Sequence, residues 1–461
     1  MKKLLSILLT ITILLSVISI SFINTGALEY GDFIYSMYSK KSIIINGYTG
    51  ESTEVVIPEE IDGFPVVIFN SDMFNGNTEI TKITIPGTIS RIYGHSFSGC
   101  TALETVILNE GVQVISDYAF YNCKSLKNLY LPDTLTTIGY SCFTLCESLE
   151  NFHLPASVTN IDISCFSFCD LESLTVDENN PVYDSRENCN AIVRTEDNTI
   201  VHATKNTFIP SSITAIGPDA FYTTKIESIE IPDSVTQIGY SAFCDCDNLT
   251  EITLPPKLEI ISDGLVQYCD NLKTVNIPDS AKEIHADAFK GCTSLENIEI
   301  PYGVICIYEN VFKGCKSLKE ITFPETVVSL SWYVLMDCDN LTDVTILNPK
   351  CALLTDQLIP PGVILLSMPE TTTIHAHLGS YAEGYASIRK NPFVPLNPLG
   401  DVDGDMEVSV LDATKIQMFI AESAKLSKAA QNNGNVDKDA ELTVLDATTI
   451  QRLLAKLITE F

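Results

Sequence analysis

A period of 23 residues runs through most of the chain and constrains its fold more than any other feature. Eleven copies can be aligned, one of them five residues longer than the period and one of them a residue shorter. They begin at Ile57, Ile85, Leu108, Leu131, Leu154, Ile209, Ile231, Leu254, Ile277, Ile300 and Phe323. Repeats of roughly 20–50 residues are typical of solenoids, in which each repeat forms one structural unit. The sequence therefore predicts stacked coils and not a series of separate globular domains.

Recurring apolar positions show what each coil contributes to the core. Position 8 of the copy is usually Ile, position 13 is usually Phe, and the copy ends in a Leu-x-x-Ile/Val-x-Leu-Pro segment. Alternation in that last segment predicts a short strand, which the proline then ends. One coil of 23 residues cannot bury its apolar side alone, whereas stacked coils share a continuous core.

The phrase IPDSVTQIGYSAFCDCDNLTEIT at Ile231–Thr253 resembles the BspA-like subclass of leucine-rich repeats, and the resemblance covers residues 57–345. It implies a leucine-rich-repeat solenoid of short parallel strands with an irregular, turn-rich convex side. The commoner leucine-rich consensus places Asn or Cys after the strand, whereas here a Cys recurs three positions before the first Leu. Similar BspA-like proteins are associated with surface adhesion and binding, so the resemblance also implies a binding role.

The remaining segments are arranged around this array. Two strand-like runs separated by turn formers predict an inserted hairpin at 177–208. Residues 28–56 and 346–390 are predicted to cap the array, the second cap with a last strand and a short helix. The proline-containing segment 391–399 is predicted to be a linker to a C-terminal module at 400–461.

Residues 1–27 are typical of an export signal. Lys2 and Lys3 precede an uncharged apolar run from Leu4 to Ile23, and small residues up to Ala27 offer a cleavage site. An uncleaved anchor is the alternative, because the run of 20 apolar residues is long enough to span a bilayer. We favour cleavage, which predicts a secreted protein without a membrane partner.

Charge and residue pattern argue against two classes of function. The chain has 28 Lys and Arg against 59 Asp and Glu, and a net charge of −31 repels nucleic acid. The sequence shows no catalytic constellation, so it predicts a protein that is not an enzyme. The alternative is a polysaccharide-degrading accessory enzyme whose site lies in the insertion or the C-terminal cap and uses His202, His375 or His377.

Nine of the fifteen cysteines recur at position 16 of the copy. They are Cys100, Cys123, Cys146, Cys169, Cys246, Cys269, Cys292, Cys315 and Cys338. A residue repeated at one place in every coil is typical of a core ladder of free thiols, and disulfides between adjacent coils are the alternative. Zinc binding by Cys142, Cys146, Cys165 and Cys169 is a further alternative, although Ala at position 12 of other copies indicates a small inward site.

Two acidic loops 34 residues apart predict calcium sites in the C-terminal module. The first loop has Asp at positions 1, 3, 5 and 12, and the second has Asn at position 1 and Asp at the other three. Calcium takes roughly six to eight oxygen ligands, which this spacing can curl around one ion. The predicted ligands are Asp401, Asp403, Asp405, Glu407, Asp412, Asn435, Asp437, Asp439, Glu441 and Asp446. With one carboxylate fewer, the second site is expected to be the weaker.

Each loop is followed by one helix that repeats Asp-Ala-Thr-x-Ile-Gln, and this duplicated pattern over residues 400–461 resembles a type I dockerin. Dockerins bind cohesin modules of scaffoldin proteins, so the resemblance implies attachment to a cellulosome-type complex. The family's cohesin-contacting positions correspond here to Val410, Leu411, Gln417, Met418, Glu422, Val444, Leu445, Gln451, Arg452 and Lys456. Val, Leu and Gln occur in both halves, which implies that the module can bind in two opposite orientations.

These features predict a non-catalytic binding or adhesion protein displayed at the cell surface through a scaffoldin. The outward positions of the predicted strands are mostly Thr, Asn and Glu, with Tyr130 and His153 as the residues able to stack on a sugar. Such a face favours an unidentified protein or cell-surface ligand over a polysaccharide ligand, which would need aromatic side chains to stack on. A spacer or inhibitor without a ligand of its own is the third reading.

Overall fold

The computed structural model describes residues 28–353, 368–396, 401–402, 408–421, 426, 431, 434–436 and 442–454. They belong to two compact units, unit 1 within residues 1–248 and unit 2 within residues 249–461. The export signal predicted at 1–27 lies outside the described residues. None of the helices in the described ranges is long and apolar enough to cross a membrane.

Unit 1 consists of short strands joined by turns. In chain order they are β1 (Leu28–Tyr30), β2 (Phe33–Ser39), β3 (Ser42–Tyr48), β4 (Glu54–Val56), β5 (Glu60–Ile61), β6 (Phe64–Phe69), β7 (Lys82–Ile85), β8 (Arg91–Ile92), β9 (Thr105–Leu108), β10 (Val114–Ile115), β11 (Asn128–Tyr130), β12 (Thr137–Ile138), β13 (Asn151–Leu154), β14 (Asn160–Ile161), β15 (Ser173–Val176), β16 (Tyr183–Asp184), β17 (Ala191–Arg194), β18 (Thr199–Ala203), β19 (Ala215–Ile216) and β20 (Gln237–Ile238). Single 3-10 turns occur at Ser71–Met73 and Arg186–Asn188.

Unit 2 has the same kind of strands, and its described residues include three helices with defined bounds. Its strands are β21 (Glu251–Thr253), β22 (Ile260–Ile261), β23 (Thr274–Asn276), β24 (Glu283–Ile284), β25 (Cys306–Ile307), β26 (Glu320–Phe323), β27 (Ser329–Leu330), β28 (Asp343–Ile346), β29 (Ala352–Leu353), β30 (Thr373–Ala376) and β31 (Phe393–Pro395). Its helices are α1 (Tyr381–Arg389), α2 (Val410–Ile420) and α3 (Val444–Leu454).

Most coils contribute strands to two separate parallel sheets. In unit 1 the longer strands follow the order β4-β7-β9-β11, and the two-residue strands follow β8-β10-β12-β14. Paired residues of neighbouring strands are one repeat period apart in the sequence: Val114 of β10 pairs with Arg91 on one side and with Thr137 on the other. The predicted parallel strands are confirmed at the end of nine copies, whereas the described residues 228–230 and 297–299, which end the copies beginning at Ile209 and Ile277, form no strand. The second sheet was not predicted, since two residues are too few to show an alternating pattern.

The core is a stack of aromatic rings taken from position 13. The rings of Phe97, Phe120, Phe143 and Phe166 stack in series with centroids 5.2, 5.7 and 5.9 Å apart and planes within 8° of parallel. In unit 2, Phe289 and Phe312 repeat the arrangement at 5.5 Å. The apolar residues of position 8, such as Ile92, point inward from the two-residue strands and are buried. Offset stacking of this kind adds to the free energy gained by burying each ring.

Two residues in every coil adopt the left-handed conformation. They lie at positions 11 and 15 of the copy, four residues apart in all ten copies from Ile85 onward. They are His95, Gly99, Tyr118, Asn122, Ser141, Leu145, Ser164, Phe168, Asp219, Thr223, Ser241, Asp245, Gly264, Tyr268, Asp287, Gly291, Asn310, Gly314, Tyr333 and Asp337. Alternating right- and left-handed residues turn successive N–H groups toward the same side of the chain.

These N–H groups hydrogen-bond to the following coil. The backbone N–H groups of Tyr118, Phe120 and Asn122 donate to the carbonyl oxygens of Tyr140, Cys142 and Thr144 at 2.9, 3.0 and 2.7 Å. The turn-rich side of the coil is therefore as fully hydrogen-bonded between neighbours as the sheets are. A buried turn without such partners would leave unpaired amides, which is costly.

The recurring cysteines form a ladder of thiols inside the coils. All fifteen cysteines fall within the described residues and are free thiols. Eight of the nine at position 16 donate to the carbonyl oxygen of position 13 in the preceding coil; Cys123 Sγ, for example, lies 3.1 Å from Phe97 O. Burial raises the pKa of the Cys100, Cys169, Cys292 and Cys338 thiols to about 12, so they stay protonated and poorly nucleophilic.

The insertion at 177–208 interrupts the array with antiparallel strands. β16 pairs with β17 and β17 pairs with β18, and β18 then lies parallel to β19 of the next coil.

In the second cap, β30 extends the sheet from β28, and α1 begins at the N-cap Ser380. The structure differs from the predicted linker at 391–399, because β31 pairs in parallel with β30. Pro395 is tolerated there since β31 is the edge strand of its sheet.

Phe289→Ala is expected to lower the free energy of unfolding of unit 2 by about 3–5 kcal/mol, because the ring is fully buried between neighbouring coils. Chemical denaturation monitored by circular dichroism measures the change. Tyr302→Ala provides the matched control, since Tyr302 is 61% exposed and its truncation should be nearly neutral. A near-neutral Phe289→Ala variant would show that position 13 does not carry the core.

Alkaline pH is expected to destabilise the coils between about pH 9 and pH 12. An unfolded thiol loses its proton near pH 9.0, whereas buried ladder thiols such as Cys292 keep theirs to about 12. The free energy of unfolding is therefore unaffected by these groups below pH 9 and falls as the pH rises toward 12. Denaturation at a series of pH values measures the slope, and Cys292→Ala, with one such thiol fewer, should show a shallower one. Equal slopes would contradict the assignment.

Candidate functional site

The outward face of the longer strands is polar in both units. In β13, Asn151 and His153 are exposed and alternate with the buried Phe152 and Leu154. In unit 2, the exposed residues of β21 and β23 are Glu251, Thr253, Thr274 and Asn276. Tyr130 is the aromatic exception, with 58% of its surface exposed. Side chains that carry hydrogen-bonding groups thus line the face on which a ligand can lie.

The histidines proposed for an enzyme do not assemble a catalytic set. His202 is buried with its ring edge toward Phe166, and burial lowers its pKa to about 4. His375 Nε2 of β30 lies 2.9 Å from Asp343 Oδ1 of the neighbouring strand β28. This hydrogen bond lowers the pKa of Asp343. His377 follows β30 and is half-buried. His202 thus has an aromatic neighbour and His375 an acidic one.

Two of the four cysteines considered for zinc belong to the thiol ladder, and the other two fill small core positions. Cys146 Sγ and Cys169 Sγ donate to the carbonyl oxygens of Phe120 and Phe143 at 3.3 and 3.0 Å. Cys142 and Cys165 are fully buried at position 12, where other copies have Ala. Burial raises the pKa of all four thiols. Among the described residues, no group of three or more His, Cys, Asp and Glu side chains is placed to hold a metal.

The C-terminal module is duplicated in space as it is in sequence. Val402, Ala413 and Ile416 form one half of its buried core. The other half is formed by Val436, Ala447 and Ile450, each 34 residues after its counterpart. The two helices α2 and α3 thus bury equivalent faces.

Each of these helices begins at the same cap. The backbone N–H groups of Ser409 and Thr443 donate to Oδ2 of Asp412 and Asp446, both at 2.7 Å. The hydroxyls of Ser409 and Thr443 in turn accept from backbone N–H groups of the first helical turn at 3.1 Å. Sequence reasoning assigned the two aspartates to calcium and missed this second role. The Ser/Thr-x-x-Asp spacing before each helix is the signal that could have found it.

The described part of the first loop fits a calcium ion. Asp412 Oδ1 accepts from the backbone N–H of Val402 at 2.7 Å, so the beginning and the end of the loop meet. Asp401 and Asp412 are 1% and 0% exposed. A carboxylate oxygen that accepts one hydrogen bond retains a lone pair for a cation, and buried negative charge calls for positive charge nearby. A set of oxygen donors suits a hard cation such as calcium.

The second loop is described at its two ends. Asp446 is fully buried, and Asn435 is half-buried at the beginning of the loop. The remaining predicted ligands, Asp403, Asp405, Glu407, Asp437, Asp439 and Glu441, lie outside the described residues.

The side chains assigned to cohesin contact are exposed wherever the structure describes them. Val410 and Leu411 are 60% and 62% exposed at the start of α2, and Val444 and Leu445 are both 56% exposed at the start of α3. Gln417, Met418, Gln451 and Arg452 are exposed farther along the two helices. Glu422 and Lys456 lie outside the described residues. Two equivalent pairs of apolar side chains therefore face solvent, an arrangement typical of interaction surfaces.

Comparison with solved structures supports the fold. The pneumococcal vaccine antigen PcpA is 18% identical with a TM-score of 0.58, and the match covers 80% of this chain and 98% of that one. A leucine-rich cell surface protein from Faecalibacterium prausnitzii A2-165 is 22% identical with a TM-score of 0.44, covering 70% and 95%. A leucine-rich repeat protein from Bacteroides ovatus ATCC 8483 is 24% identical with a TM-score of 0.41, covering 69% and 94%. No curated protein matches the chain.

The repeats also match a known family. The model of the BspA type leucine-rich repeat region (6 copies) matches residues 67–191, 201–296 and 282–353, which together are more than half of the chain. The matched ranges coincide with the stacked coils of both units, whose strands and Phe ladder the structure describes. The chain therefore belongs to the BspA-type leucine-rich repeat family.

Proposed function

We propose that the protein is a secreted, non-catalytic binding protein whose repeats present a protein-recognition surface. Membership of a repeat family built for interaction supports this role, since stacked coils create extended surfaces for partners. The polar, hydrogen-bonding face of the longer strands supports it as well, because mixed polar surface is typical of protein interfaces that form and dissociate. The unidentified ligand is a protein or another cell-surface component.

We propose further that the C-terminal module is a dockerin that attaches the protein to a cohesin of a scaffoldin. The observation that carries this proposal is the duplicated helix start, where Val410 and Leu411 in one half and Val444 and Leu445 in the other are exposed beside a buried aspartate. Calcium would be held by Asp401 and Asp412 in the first loop and by Asn435 and Asp446 in the second. When bound, it neutralises these carboxylates and fixes the helix starts that carry the exposed pairs.

Asp412→Ala and Asp446→Ala are expected to abolish most of the calcium-induced stabilisation of the module while leaving the coils intact. Each change removes a predicted calcium ligand, and ligand binding stabilises the folded state in proportion to its affinity. Thermal unfolding of the full chain with calcium and with chelator measures the response.

Ser409→Ala is the matched control for this prediction, because it removes a cap hydroxyl and no carboxylate. It should cost about 1 kcal/mol with or without calcium, as loss of an N-cap does. Full calcium response in both aspartate variants would refute the assignment of the loops.

Cohesin binding is expected to depend on both halves of the duplicated surface. Leu411→Asp or Leu445→Asp alone should weaken binding less than tenfold, because the other half remains available in the opposite orientation. The double variant should lose about a hundredfold, as expected when central apolar contacts of an interface are removed. Calorimetric titration of the full chain with a panel of cohesins measures these affinities.

Ile388→Ala serves as the control for the cohesin experiment, since Ile388 is 82% exposed on α1 of the cap. Binding that persists in chelator, or a panel in which no cohesin binds, would overturn the dockerin proposal. The recognition role of the repeats would then stand on the coils alone.

A further inference from the structure

The strand β15 ends its sheet at the insertion. On one side it pairs in parallel with β13. On the other side, Asn190 Oδ1 accepts from the backbone N–H of Leu174 at 2.8 Å, and Ser185 Oγ donates to the Leu174 carbonyl oxygen at 3.3 Å. Side chains of the insertion thus occupy the edge of β15 at Leu174, which opposes the addition of a peptide strand there.

An open cleft of about 660 Å³ lies between this closed edge and the first turn of the insertion. Thr175 and Asp177 contribute one side of it, and Asp184, Arg186 and Asn188 contribute the other. Of its twelve lining residues only Val176 is apolar. The volume is that of a small-molecule site, and although eleven of the lining side chains are polar by type, their carbon atoms supply most of the surface that lines the cleft.

Two of the acidic residues of the cleft are paired with basic side chains. Arg186 forms two-pronged hydrogen bonds with Asp184 at 2.8–3.2 Å and donates to Asn198 Oδ1 at 2.6 Å. Lys205 Nζ lies 2.9 Å from Glu172 Oε1. These pairs offset the charge of Asp184 and Glu172, and their remaining lone pairs and N–H groups can hydrogen-bond to neutral hydroxyls.

Outward-facing residues at equivalent repeat positions form a row that crosses successive coils toward the cleft. His153 pairs in register with Thr175, and its Nδ1 lies 3.0 Å from Thr175 Oγ1. Tyr130, 58% exposed, occupies the same repeat position as His153 one coil earlier. Tyr130 ends β11, which is the edge strand of the preceding sheet and is not paired with β13. It offers an apolar ring with a polar tip at the entrance.

We propose that this cleft binds a neutral oligosaccharide. Tyr130 contacts the part of the sugar chain that continues across the neighbouring coils. Hydroxyls match the paired carboxylates, amides and guanidinium of the cleft, and a chain of sugar rings matches its open end. The strand face alone offers few stacking residues, whereas the insertion supplies the concave polar surface that the face lacks. The site goes beyond the proposed function and lies in unit 1, so the dockerin proposal can fail without affecting it.

The alternatives fit the cleft less well. An anionic ligand would meet Glu172, Asp177, Glu178 and Asp184. A basic peptide would have to compete with Arg186 and Lys205 for Asp184 and Glu172. An apolar ligand would leave the hydrogen-bonding groups of the lining desolvated, which is costly.

The test is calorimetric titration of the full chain with cellohexaose, xylohexaose, laminarihexaose and mannohexaose, with hexagalacturonate and hexalysine as charged probes. At least one neutral hexasaccharide should bind. Thr175→Trp, which fills the cleft from an exposed strand position, should weaken that binding at least tenfold. Tyr130→Ala should weaken it several-fold, and Tyr302→Ala, a tyrosine of matched exposure in unit 2, should leave it unchanged.

Asn188→Gly is the second cleft variant, in case Thr175→Trp disturbs folding. Asn188 has a φ of 56°, so glycine removes its side chain without straining the backbone. Weaker binding by this variant, with unchanged thermal unfolding, supports the site. The proposal is overturned if none of the four neutral hexasaccharides binds, if only hexalysine or hexagalacturonate binds, or if both cleft variants bind as the unaltered chain does.

Discussion

The fold of this chain depends on hydrogen bonds that run between coils through left-handed residues. Each coil places positions 11 and 15 in a conformation that most residues avoid, at a cost of roughly 1–2 kcal/mol per non-glycine residue. In return, the amides of three alternate residues reach the next coil, and the turn-rich side becomes a third hydrogen-bonded ladder beside the two parallel sheets. The side chains enclosed by the three ladders include stacked Phe rings, aliphatic chains and thiols.

Sequence reasoning predicted most of the repeat fold because its period leaves few alternatives. Most strands with the Leu-x-x-Ile-x-Leu pattern and the buried Phe of position 13 lie where they were expected. The two-residue strands were missed because a pair such as Arg91–Ile92 is too short to show a period. The left-handed residues were missed for a different reason. Their identities range from Gly to Tyr and Phe, so contacts with the next coil, and not local preference, set their conformation.

The candidate sites were less accessible to sequence reasoning than the fold. The acidic loops could be recognised from the spacing of their carboxylates in the sequence. The capping role of Asp412 and Asp446, however, depends on which backbone amide each carboxylate accepts a hydrogen bond from. The cleft beside the insertion had no sequence signature at all. It depends on Asn190 and Ser185 folding back onto β15, and neither residue belongs to a motif. A repeat can be recognised from the sequence alone, whereas a concave surface forms only when segments distant in the sequence come together in the fold.

The thiol ladder bears on where such a chain can complete its folding. The position-16 thiols described above donate their S–H groups to carbonyl oxygens of the preceding coil, so the native interior needs these sulfurs reduced. A nascent chain exposes all fifteen before its coils close. In an oxidising medium, neighbouring sulfurs would cross-link during that interval and trap mispaired coils. The architecture is therefore suited to maturation in anoxic surroundings or under reducing conditions, and once closed it shields its sulfur from later oxidation.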